Sequence, residues 1–83
     1  MTRVKYFIPE DGDDEQHPNL FTLSKDKGLT LKDLRNAFPV PGVYHFRILR
    51  SIGTTKVWMD ALDDATDIPV DDKCIFAKVT RLR

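Results

Sequence analysis

Apolar residues recur at every second position along most of this chain, and the exceptions are as informative as the rule. Arg3–Ile8 places Val4, Tyr6 and Ile8 on one face, the signature of a half-buried strand. Pro9 ends it, because proline has no N–H for a ladder. The acidic, glycine-containing turn Glu10–Glu15 and the dipeptide His17-Pro18 lead into a second strand, Asn19–Ser24, which pairs back on the first as a hairpin with a long loop. After the polar turn Lys25–Gly28 the period changes. Leu31, Leu34 and Phe38 stand at i, i+3 and i+7, and Thr30 with Asp33 forms an aspartate version of the capping box. Pro39 and Pro41 stop this short helix, over about residues 31–38. Strand spacing then returns in Val43–Arg50, with Tyr44, Phe46 and Ile48 on one side and His45, Arg47 and Leu49 on the other. Ser51-Ile52-Gly53 turns the chain into Thr54–Asp60. Ala61–Asp67 reads as a single helical turn, and Lys73–Leu82 as the last strand, with Ile75, Ala77 and Val79 on one face.

The order β-β-α-β-β-β, with one helix laid across a mixed five-stranded sheet, predicts an α+β domain of ubiquitin-like (β-grasp) type. The exception to clean alternation is Val57-Trp58-Met59 in the fourth strand, three large apolar residues in succession. One face or the other must then present an apolar side chain outward. Two readings follow: Trp58 covers the core, or the strand is an exposed edge kept apolar for docking.

Eighty-three residues make one small domain. Because the chain begins and ends on strands with short tails, it is expected to be one domain of a longer multidomain protein. Thirteen basic and thirteen acidic side chains cancel, which argues against nucleic-acid binding, including single-stranded RNA on Tyr44, Phe46 and Trp58. Lone Cys74 precludes an intrachain disulfide, is expected to pack as a small apolar side chain, and fits a reducing, cytoplasmic setting. No stretch is apolar enough for a membrane helix or a signal peptide.

No catalytic, cofactor or metal site is expected. His17 reads as a loop residue and His45 as a strand residue on the solvent face, neither with a second ligand at metal spacing. No glycine-rich loop would cradle a phosphate, and no nucleophile–base pair is evident. The carboxylates Asp60, Asp63, Asp64, Asp67, Asp71 and Asp72 lack calcium-loop spacing. They read as a solvated rim or as the acidic side of a protein contact, with Lys25, Lys27, Lys32 and Arg35 as possible counterparts. The C-terminal Thr80–Arg83 lacks the Gly-Gly of a conjugated modifier.

In order and spacing the chain resembles the DIX domain of Dishevelled, Axin, Dixin and the plant SOSEKI proteins. The matching pieces are Val4–Pro9, His17–Phe21, Leu29–Leu34, Tyr44–Arg47, Val57–Asp60 and Asp63–Pro69. The resemblance implies head-to-tail self-polymerisation, the second strand of one copy meeting the fourth strand of the next. Reversible filaments of a signalling or polarity scaffold would then raise the avidity of whatever else the full protein binds. Carried over by position, it implies an interface of Asn19, Phe21, Leu34, Lys56, Val57, Trp58, Met59 and Asp60. Asn19 stands where many members have an aromatic residue, and Trp58 where the animal proteins have lysine. The partner is another copy or another DIX domain; no cofactor, nucleic acid or membrane insertion is implied. The rival reading is a PB1-type module pairing acidic and basic patches front to back.

Overall fold

The computed structural model describes residues 1–82. Five strands are present among the described residues: β1 (Thr2–Phe7), β2 (Asn19–Leu23), β3 (Tyr44–Ile52), β4 (Thr55–Ala61) and β5 (Cys74–Arg81), with one α-helix, α1 (Leu31–Ala37), between β2 and β3 and a short 3-10 turn, Pro9–Asp11, after β1. They form one sheet in the order β2-β1-β5-β3-β4. β1 and β5 run parallel at its centre, and every other pairing is antiparallel. This is the mixed β-grasp sheet expected from the pattern.

The strand period decides what is buried. Val4 and Tyr6 of β1, Phe46 and Ile48 of β3 and Ile75, Ala77 and Val79 of β5 form the sheet's share of the core, with Leu31 and Leu34 packed on it from α1. The capping box forms as read. Thr30 Oγ1 accepts from the Asp33 backbone N–H, and the Asp33 carboxylate accepts from the Thr30 N–H at 3.0 Å. α1 ends where Phe38, ahead of Pro39, turns extended. Phe38 then becomes an aromatic hub, edge-on to Tyr6, Phe21, Tyr44 and Phe46 with ring centroids 4.9–5.9 Å apart.

Three local expectations change. β3 continues to Ile52, which pairs with Thr55, so the hairpin loop is only Gly53-Thr54. Gly53 takes φ 61°, the positive value that the first position of a two-residue hairpin loop accepts from glycine. The 61–67 stretch forms no helical turn. Asp63 accepts the Ala65 N–H on its carboxylate and the Thr66 N–H on its carbonyl, which closes a turn instead. That loop docks on the start of α1 through Leu31 N–H to Thr66 O and Lys32 N–H to Asp64 O.

The third change concerns Leu34, expected at the interface. It is 1% exposed, inside the core between α1 and the sheet, because it lies on the same helical stripe as Leu31. It is not available to a partner. Leu34→Ala should cost roughly 2–5 kcal/mol of folding stability, as deletion of a buried leucine side chain does. Urea denaturation measures this, and a loss below the range would mean that the site collapses to fill the void.

Candidate protein–protein interface

The sheet order leaves two strands with one neighbour each. β2 pairs only with β1, and β4 only with β3. Each turns a row of backbone N–H and C=O groups to solvent, the feature by which sheets recruit further strands. Seven of the eight residues expected at the interface lie on these two edges: Asn19 and Phe21 on β2, and Lys56, Val57, Trp58, Met59 and Asp60 on β4.

The β2 edge is positioned by the loop before it. Asp13 accepts from the Ile8 backbone at 3.0 Å and from the Asn19 side-chain amide at 2.9 Å, tying the end of β1 to the start of β2. Asp14 Oδ1 accepts the backbone N–H groups of Gln16 and His17 and lies 3.1 Å from His17 Nδ1. The His17 side chain is the main reason the Asp14 carboxyl is held below its usual range. At the same end of the sheet, Arg81 binds Asp11 through its guanidinium and Glu10 through its backbone, anchoring the loop's opening turn to β5. The acidic loop is therefore internal scaffolding for the edge.

Registers fix which face each side chain occupies. On β2, Asn19, Phe21 and Leu23 stand opposite Tyr6, Val4 and Thr2, on the helix side; Leu20 and Thr22 stand opposite Lys5 and Arg3, on the open side. On β4, Val57 and Met59 are on the helix side and Lys56, Trp58 and Asp60 on the open side. Val57 is 37% exposed, whereas Met59 is half-buried against the core. Leu20 is 58% exposed. It was not singled out in the sequence because it shares the parity of polar Thr22, although an apolar residue at that parity was the signal.

Trp58 resolves into neither of its two expected forms. It is half-buried in a second, small cluster on the helix-free face, edge-on to Phe7 and Phe76 with centroids 6.2 and 5.9 Å away. Phe7, which the β1 alternation directs away from the core, is 6% exposed there. Asp60 is likewise engaged. Its Oδ1 lies 3.0 Å from both His45 Nε2 and Arg47 Nε. These contacts, His45 first, hold its carboxyl below the usual range.

Among the described residues, no group of His, Cys, Asp or Glu side chains is placed to hold a metal ion, and no helix is long and apolar enough to cross a membrane. An apolar hollow of about 550 Å³ lies beyond the end of α1, lined in part by Phe38, Val40, Tyr44 and Leu82, and touches neither edge. Asp64 is drawn into an ion pair with Arg35, so this part of the acidic stretch serves the fold. Tyr44 and Phe46 are buried under the helix and offer no ring to a nucleic acid.

The DIX family model matches residues 1–79. The chain belongs to the DIX domain family. The solved structure of the SOSEKI polymerising domain, in a mutant form, is similar to this DIX domain at 25% identity and a TM-score of 0.69, covering 99% of this chain and 97% of its own. No curated relative matches. The PB1-type alternative is not favoured by these findings.

The Asp60 contacts give a pH dependence. A carboxyl whose folded value is lowered contributes stability that is present above its unfolded value, about 3.9, and is lost as the pH falls through the folded value. Asp14 and Asp33 shift the same way, Asp33 chiefly through the Thr30 N–H. The melting midpoint should therefore fall on acidification below about pH 4, and Asp60→Asn should lower it at pH 7 and flatten its acid dependence. An unchanged acid slope in that variant would mean that the Asp60 contacts contribute nothing.

Proposed function

We propose that this DIX domain is a head-to-tail self-polymerising module of a cytoplasmic signalling or polarity scaffold, in which β4 of one copy pairs with β2 of the next. The observation that carries this reading is the direction of the two edges. β1 and β5 run the same way; β2 opposes β1, β3 opposes β5, and β4 opposes β3. β4 and β2 are therefore antiparallel to each other. A second copy translated along the sheet brings its β2 beside β4 of the first in antiparallel orientation, with the helix sides on the same face. The contact joins two different patches, leaves each patch's counterpart free, and repeats without closing.

Side-chain parity selects a register. Residues opposite one another across an antiparallel pair point to the same face. Leu20 opposite Trp58 puts both on the open side, and it also sets Asn19 opposite Met59, Phe21 opposite Val57 and Thr22 opposite Lys56. Every exposed apolar residue of β2 then meets an apolar residue of β4. The SOSEKI likeness supports the assembly, since that domain is described as polymerising. A weak contact of this kind acts through avidity: clustering raises the effective concentration of each copy and of whatever the scaffold binds.

Sedimentation velocity over a concentration series tests the edge contact. The wild type should grow in size with concentration, and Val57→Asp should weaken self-association at least tenfold, about 1.4 kcal/mol, while remaining folded. Strictly monomeric wild-type behaviour at millimolar protein would sink the reading. The register has its own test in two exposed positions. Thr22→Lys should weaken assembly by placing like charges opposite Lys56, and adding Lys56→Glu should restore it. Failure of that rescue, with assembly otherwise intact, would move the register.

A further inference from the structure

The helix-free face of the sheet carries a charge pattern that the fold uses only around Asp60. Five cations project from it: Arg3 and Lys5 of β1, Lys78 of β5, Arg47 of β3 and Lys56 of β4. Against them stand Asp60 and, at the margin, Asp71. The chain as a whole is neutral, so this face is basic at the expense of the others. Among the described residues, Arg47 alone of the five has an ion-pair partner, Asp60. Lys78 stands directly opposite Arg47 across the β3–β5 pair, a like-charge juxtaposition that destabilises a sheet. Beside these cations lies a cleft of about 140 Å³ walled by Leu49, Cys74 and Phe76, with Lys56 and Asp71 at its rim.

We infer that this face is a second binding surface, for an extended acidic peptide of a partner protein that places one aliphatic side chain in the Leu49–Phe76 cleft and its carboxylates on Lys5, Lys78, Arg3 and Lys56. Charge complementarity identifies the partner as acidic, and the apolar cleft identifies it as a peptide. A single strand of nucleic acid would need free ring faces to stack on. The rings of Phe7, Trp58 and Phe76 meet one another edge to face, and Phe7 is buried. The surface is centred on β1 and β5, away from the sheet's edges, and meets the polymer contact only at Lys56 of β4. If the head-to-tail reading holds, edge pairing continues one sheet from copy to copy, so that these faces follow one another along the filament in a basic strip that winds with the sheet's twist and raises avidity for a repeated acidic sequence.

The test uses the whole chain carrying Val57→Asp, whose substitution lies on the helix side, so that binding is measured without assembly. The probe is a fluorescein-labelled peptide, Glu-Glu-Asp-Leu-Asp-Glu-Glu, followed by anisotropy. Binding is expected with a Kd on the order of 100 μM, weakening as salt screens the exposed charges. Lys5→Ala with Lys78→Ala should weaken it at least tenfold, serine in place of the peptide's leucine should weaken it several-fold, and Lys27→Ala with Lys32→Ala should leave it unchanged. Lys78→Gln alone should weaken binding yet raise the melting midpoint, by relieving Arg47; a merely structural lysine would not move the two in opposite senses. No binding at about 1 mM peptide, equal losses in the Lys27/Lys32 control, or equally tight binding of a thymidine oligonucleotide of the same charge would overturn the proposal. Filaments of the wild type should bind a tandem repeat of the peptide more tightly than the Val57→Asp monomer does. Monomer binding without that gain would sustain the peptide site and count against the head-to-tail arrangement.

Discussion

The parallel pairing of β1 with β5 is the constraint on which this molecule depends. Parallel neighbours cannot be joined by a tight turn, so the chain must cross between them, and the crossing segment contains α1 and the β3–β4 hairpin. β1 takes β2 on its other side and β5 takes β3. Once that centre is set, β2 and β4 have nowhere to go but the edges, and their directions are fixed as opposite. The surface used by the proposed assembly thus arises from topology: two open ladders on one sheet, antiparallel to each other.

The same sheet divides its chemistry by face. The helix side is a conventional core in which Leu31 and Leu34 seal Val4, Phe46, Ile48 and Ile75 from water. The open side is held by three aromatic rings amid cations. Trp58 links these arrangements to the edge, since it packs on Phe7 and Phe76 while belonging to the outermost strand. At that position the edge offers partly covered apolar surface, and Leu20 is its partner of matching face across the proposed contact. Acidic side chains contribute more to order than to binding: Asp13 and Asp14 shape the loop into β2, Asp33 caps α1, and Asp63 and Asp64 fasten the 61–67 loop near the helix start.

By itself the sequence determined the five strands and the helix, their order and the buried face of the sheet. A period of two or 3.6 and a proline or capping residue at a boundary are local signals, and Val4, Tyr6, Leu31, Phe46 and Ile75 could be assigned to a core from spacing alone. Its family likeness further pointed to β2 and β4. Tertiary structure decided the rest. Whether Leu34 was core or surface depended on which helical stripe met the sheet. Whether Trp58 was buried depended on Phe7 and Phe76 arriving beside it from distant strands. Face, edge and neighbour are properties of strand order and register, which join residues up to some seventy positions apart, and no local spacing encodes them.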